Sequence, residues 1–208
     1  RIYEGETPGV SYGDIAERYY TVGQYMKEVK DVSKAMAAAG DSYICDEYLN
    51  AMGSPEAESV YVLHDLNNDG IEEFFIGLKF NYDIPYYVIY DVYTWKDGRA
   101  YQLMRGIGYR NGSCKICENG VIEDNYSGTA WDGQTLYHIL PEGGIELETI
   151  DSVSSRRDGT VQSYYHWNEL IDENSLQTIL EQYQPESVTY VDCNRETIEQ
   201  LRLSGIRK

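Results

Sequence analysis

The stretch Asp65-Leu66-Asn67-Asn68-Asp69-Gly70-Ile71-Glu72-Glu73 places oxygen side chains at alternate positions and ends the alternation in a glycine. In a tight loop Asp65, Asn67 and Asp69 aim their oxygens at one point, and Gly70 supplies a turn that a residue with a Cβ resists. The Ile71 carbonyl and the Glu73 carboxylate complete the expected ligand set. Hard oxygen donors without a nearby His or Cys favour Ca²⁺ over zinc or copper, while Mg²⁺ keeps more of its water. An EF-hand needs a bidentate Glu at the twelfth position, where this chain has Ile76. Apolar, β-branched flanks, Val60-Tyr61-Val62-Leu63 and Phe74-Phe75-Ile76, predict strand, loop, strand instead. Without a metal, Asn68-Asp69-Gly70 reads as an ordinary hairpin turn.

Other chemistry leaves fewer traces. The chain lacks a G-x-S-x-G elbow, an H-E-x-x-H helix, a P-loop and a dinucleotide fingerprint. His64, His138 and His166 are far apart in sequence and read as strand residues, with His64 alone beside the loop. Carboxylate pairs such as Glu123-Asp124 suit glycoside hydrolysis in type, but an acidic chain supplies such pairs by chance. Cys45, Cys114, Cys117 and Cys193 allow three complete disulfide pairings or a four-thiol zinc site. In an extended segment Cys114 and Cys117 lie about 10 Å apart at Cα, beyond the reach of one disulfide.

Residues Tyr61 to Ile76 resemble the D-x-[DN]-x-D-G-x-x-E-[LF] segment of secreted proteins and lipoproteins from Gram-positive anaerobic bacteria. They are similar, more distantly, to the calcium loops of FG-GAP and VCBS repeats. That resemblance implies side-chain ligands at Asp65, Asn67, Asp69 and Glu73 and a carbonyl ligand at Ile71. It also implies an extracellular or cell-surface location, including a lipid anchor through a leader outside this sequence. A single copy of the loop argues against a propeller.

The elements that must position this loop follow from periodicity. Residues 1–13 read as an irregular entry. Asp14 with Glu17 resembles a capping box, and Ile15, Tyr19, Val22, Met26, Val29 and Met36 recur at helical spacing up to Gly40. Asp41 caps a second expected helix, stopped by Gly53-Ser54-Pro55. Strands are expected near 59–65, 72–80, 86–95, 99–106, 113–118, 121–126, 134–140, 145–151 and 161–166. Turns at Asn68-Asp69-Gly70, Lys96-Asp97-Gly98, Arg110-Asn111-Gly112, Glu118-Asn119-Gly120, Trp131-Asp132-Gly133, Glu142-Gly143-Gly144 and Arg157-Asp158-Gly159 punctuate them. Asn174 with Gln177 opens a later helix, Val188 to Val191 forms a strand, and a last helix runs from about Arg195 to Leu203 before a frayed Arg-Lys tail. The expected fold is α+β: two N-terminal helices packed on a curled or two-layer antiparallel β-meander, with C-terminal helices. One domain over 1–208 is expected, divided into a helical part (1–57), the meander (58–170) and a helix-strand-helix end (171–208).

Composition bounds the partners. At 208 residues the chain can bury a full core. A net charge of −18 disfavours nucleic acid and anionic membrane surfaces. No apolar run is long enough to span a bilayer as a helix. The chain opens at Arg1 without a charged-then-apolar leader, as expected of a trimmed chain or one whose leader was removed. Twenty-one tyrosines against three phenylalanines suit a sheet with one half-wet face, read first as simply an exposed antiparallel sheet and, as a functional alternative, as an aromatic platform for a cell-surface glycan or a peptide. These readings favour a non-enzymatic, calcium-binding extracellular module. The alternatives are a hydrolase with a carboxylate or His64 site near the loop, and an acidic inhibitor or immunity-type protein that blocks a basic site.

Overall fold

The computed structural model describes residues 2–6, 11–39, 44–106, 113–140 and 147–204. It is α+β, with helices and two antiparallel six-stranded sheets. In chain order the elements are β1 (Ile2–Glu6), α1 (Tyr12–Val29), α2 (Val32–Ala39), α3 (Asp46–Met52), β2 (Ala57–His64), β3 (Glu73–Phe80), β4 (Tyr86–Lys96) and β5 (Arg99–Arg105). There follow β6 (Ser113–Cys117), β7 (Val121–Ser127), β8 (Trp131–Ile139), β9 (Leu147–Asp158), β10 (Val161–His166), β11 (Glu169–Ile171), α4 (Glu173–Leu180), β12 (Val191–Asp192) and α5 (Arg195–Ser204). The first sheet is ordered β1-β5-β4-β3-β2-β12 and the second β11-β10-β9-β8-β7-β6.

Three layers result. Ile15, Tyr19, Val22 and Met26 of α1 join Tyr48, Leu49 and Met52 of α3 and Ile198 and Leu201 of α5 against Phe74, Ile76 and Leu78 on one face of the first sheet. The opposite face, through Val62, Phe75, Ile89 and Val92, packs on Cys114, Ile116, Ile122, Ile139 and Leu147 of the second sheet. Strands β3 and β4 are therefore covered on both sides, which explains why their sequences are apolar without alternation. A third cluster, Cys117, Val121 and Leu136, lies on the far side of the second sheet. Helix α5 returns to α1, where Arg202 bonds Asp14 at 3.0 Å and also pairs with Glu17. Gly13 permits this approach, since a Cβ there would lie 2.9 Å from the Arg202 backbone nitrogen.

Several expectations are corrected. The entry segment contains β1, which pairs with β5 and becomes the edge of the first sheet. The cap of α1 sits one turn earlier than expected: Ser11 is the N-cap and Asp14 the returning acid of its capping box. The long N-terminal helix breaks at Lys30, which is left-handed at φ 51° and caps α1 before α2 begins. Asp172 caps α4 by accepting from the Ser175 N–H, in place of Asn174 with Gln177. Trp131-Asp132-Gly133 is not a turn but the start of β8, the chain reversing just before it, where Gly128 donates to the Trp131 carbonyl. The expected cap at Asp41, the turns at Arg110-Asn111-Gly112 and Glu142-Gly143-Gly144, the stop at Gly40 and the terminal Arg-Lys lie outside the described residues. No described helix is long and apolar enough to cross a membrane.

Candidate functional site

Residues 65–72 form the loop of the β2–β3 hairpin, whose last paired residues are His64 and Glu73. Its own side chains close it. Asp65 accepts the Asp69 N–H at 3.1 Å on one carboxylate oxygen and the Gly70 N–H at 2.9 Å on the other. Asn67 Oδ1 also accepts from the Asp69 N–H, and Asn67 Nδ2 donates to Asp69 Oδ2 at 3.0 Å. Asp69 Oδ1 accepts the Ile71 N–H at 2.8 Å. Asn68 and Gly70 adopt positive φ, 57° and 87°, the curvature that an Asn and a Gly tolerate. From the helical layer, Tyr12 stacks on Phe74 and donates its hydroxyl to the Glu72 carbonyl at 3.0 Å.

Glu73 behaves differently from the other expected ligands. It turns between the two sheets, buried, accepting from the Leu66 N–H and the Thr94 hydroxyl, each at 2.9 Å. Burial pushes its carboxyl up to about 7; those two bonds oppose the shift, and the charges of Asp69 and Asp65 add to it. The loop thus brings Asp65, Asn67 and Asp69 together at its exposed end and sets Glu73 at its inner end. Among the described residues no three His, Cys, Asp or Glu side chains stand close enough to form a metal site by themselves. What the loop offers is a set of hard oxygens, each with lone pairs beyond the single N–H it accepts.

The histidines and cysteines are placed plainly. His64 pairs with Glu186 at 3.2 Å. All four cysteines are unbonded and buried. Cys114 and Cys117, three apart on β6, face opposite sides of the sheet, one in the inter-sheet core and the other in the outer cluster.

Sequence reading does not foresee the burial of three acids, Asp91, Asp151 and Glu123, the last noted only as half of a carboxylate pair. Asp91 on β4 is wholly buried, accepting from the Tyr19 hydroxyl and from the Gly106 N–H at 2.9 Å. Burial pushes its carboxyl up to about 6 against the opposing pull of those bonds and of Arg105. The folded state therefore holds the Asp91 proton more tightly than the unfolded chain does, so stability falls as pH rises from about 4 through about 6. Glu73 acts in the same direction up to about 7. Urea unfolding of Asp91→Asn between pH 4 and 8 is expected to show a shallower fall than the parent chain; an unchanged slope defeats the assignment. Glu123 accepts from Lys115, Asn125 and Gln134 at 3.2, 2.6 and 3.3 Å, and Asp151 meets His166 Nε2 at 2.6 Å and the Tyr183 hydroxyl at 3.0 Å. Neither acid carries a motif, because cross-strand register assembles the Glu123 cluster and brings His166 to Asp151, while Tyr183 arrives from the turn after α4.

The second sheet also borders a groove of about 400 Å³ between Asn125, Asp132, Gln134 and Val153 and the Leu176 and Leu180 side chains of α4. Aromatic rings near the surface gather in two places, the first with exposed Tyr82 and Tyr86 resting on buried Phe80. Phe80, Tyr82 and Tyr86 stack on one another near the β3–β4 turn, and Tyr126 and Trp131 lie on the second sheet. Compared with protein-family models, with curated proteins and with solved structures, the chain matches none.

Proposed function

We propose that the chain is an extracellular, non-enzymatic binding module held by one structural Ca²⁺ in the 65–73 loop. The observation that carries this reading is the electrostatics of that loop. Asp65 and Asp69 are gathered at its exposed end, the Asp65 carboxylate accepting the Asp69 N–H, Glu73 stands at its inner end, and the loop contains no Lys, Arg or His to offset them. A divalent cation would relieve the repulsion among these carboxylates, and the side chains at the exposed end of the loop offer it hard oxygens. Asp65, Asn67, Asp69 and the Ile71 carbonyl would hold the ion, with Glu73 reaching it directly or through water. Its role is mechanical, fixing the hairpin from which the doubly covered strand β3 starts. The extracellular assignment follows from supply, since free calcium near ~1 mM saturates even the weak sites typical of extracellular modules.

Calorimetric titration of the chelator-stripped protein tests the metal directly. One Ca²⁺ per chain is expected, with a Kd at or below about 10⁻⁴ M, a much weaker response to Mg²⁺, and loss of binding in Asp65→Ala. No heat and no stoichiometric uptake at millimolar calcium would sink the proposal.

A further inference from the structure

One face of the second sheet changes character along its length. Antiparallel partners share a face, so the pairs Ile116 with Ile122 and Ile122 with Tyr137 mark the part that packs on the first sheet. The same face continues through Tyr126 opposite Gly133, Gly133 opposite Ser154, Trp131 opposite Arg156, Ser154 opposite Tyr165, and Tyr165 opposite Leu170. There it stands in water: Tyr126 and Trp131 are 42% and 43% exposed, and Leu170 is 71% exposed. A face that begins as core thus runs on as an uncovered aromatic strip.

The rings on this strip are held in place. A Cβ at Gly133 would lie 2.2 Å from Tyr126 Cζ, so the ring lies across the strand where a side chain is missing, and Gly133 is buried beneath it. The Arg156 guanidinium sits 5.3 Å from the Trp131 ring centre, and the Tyr165 ring lies 6.0 Å away on the same face. Ser152, Ser154, Ser163 and Thr135 supply hydroxyls on this face. In a chain with 35 Asp and Glu, only Asp124, Arg156 and Asp158 bring charge to its described register positions.

We propose that this strip is a platform for a neutral polysaccharide. It rests on the reading of the chain as a binding module and names that module's ligand, without depending on the calcium loop. A pyranose ring has an apolar C–H face that packs on a flat aromatic ring, and a rim of hydroxyls that Ser, Thr and Arg can satisfy. The strip is open rather than concave, so a monosaccharide gains little there, whereas a polymer collects contacts from several rings at once. Low local charge suits an uncharged chain, and −18 overall opposes both an anionic polymer and a second copy of this protein. The aromatic cluster of Phe80, Tyr82 and Tyr86 is a poorer platform, because those rings use their faces on one another at 4.7 to 6.3 Å.

The test is depletion of the protein by insoluble cellulose and chitin, and gel retardation by soluble β-glucan and mannan, with alginate as anionic control, each in EGTA and in CaCl₂. Binding to at least one neutral polymer in both buffers is expected, with none to alginate. Trp131→Ala and Tyr126→Ala should each weaken it about tenfold or more. Gly133→Ala adds one methyl, lifts the Tyr126 ring from the sheet and should weaken binding severalfold with the melting temperature retained. Tyr82→Ala should leave binding unchanged. The platform is overturned if no neutral polymer binds, if Trp131→Ala binds as the parent does, or if light scattering finds a dimer that Trp131→Ala splits. Polysaccharide binding without calcium uptake would remove the metal alone, and calcium uptake without polysaccharide binding would remove the platform alone.

Discussion

Millimolar CaCl₂ is expected to raise the midpoint of thermal unfolding by roughly 5–10 °C over EGTA, with MgCl₂ giving little of that rise. The size follows from linkage. At ~1 mM free calcium and a Kd near ~10 μM, binding to the folded state alone adds about 2.7 kcal/mol. A chain of this length gains roughly 2–4 °C per kcal/mol. Asp69→Ala separates ion from scaffold. In chelator Asp69 contributes two exposed hydrogen bonds, to the Ile71 N–H and the Asn67 amide, while its charge works against buried Glu73. Those effects oppose one another, so the variant should melt close to the parent in EGTA and several degrees below it in calcium. Equal losses in both buffers would mean that Asp69 serves only the turn, and an equal response to Mg²⁺ would remove the selectivity argued from ligand number.

How much of this was legible in the residues varies with how local its cause is. The β2–β3 loop was readable because its alternation and its glycine lie within nine residues, and Asn68 and Gly70 do adopt the positive φ it requires. The inward turn of Glu73 was not readable, because it depends on Leu66 and on Thr94, 21 residues further on. The nine strands of the expected meander all exist with shifted ends, but the strand expected over Val188 to Val191 is reduced to Val191–Asp192, and β1, unforeseen, forms by pairing with β5. Trp131-Asp132-Gly133 shows why a dipeptide rule fails. Asp-Gly favours a turn, yet here the glycine clears room for a ring on the neighbouring strand, a demand that becomes visible once Tyr126 is known to lie opposite. The thiols teach the converse. Spacing alone ruled out a bond within Cys114-Lys115-Ile116-Cys117 if extended, and the strand confirms it by placing the two sulfurs on opposite faces.

Gly120→Ala is expected to cost roughly 2–5 kcal/mol, against about 1–2 for Gly98→Ala, and the contrast between the two isolates a contact between the sheets. Both glycines close hairpins with φ in the left-handed region, +71° and +80°, so alanine meets a similar backbone penalty at each. Around Gly98 nothing lies within 4 Å, and that penalty is the whole effect. At Gly120 a Cβ would lie 2.0 Å from the Leu66 carbonyl oxygen. Relief cannot come from a side-chain rotation, since the obstacle is backbone. Leu66 is itself fixed, buried in the inter-sheet core and donating its N–H to Glu73. The methyl group must therefore push the β6–β7 turn away from the base of the 65–73 loop, opening the core or displacing Glu73. On this argument Gly120→Ala lowers the melting midpoint by roughly 5–15 °C in EGTA and also weakens the calcium response, which Gly98→Ala leaves intact. Equal destabilisation by the two variants would mean that the sheets do not bear on each other at this point, and that the loop is free to reshape without the second sheet.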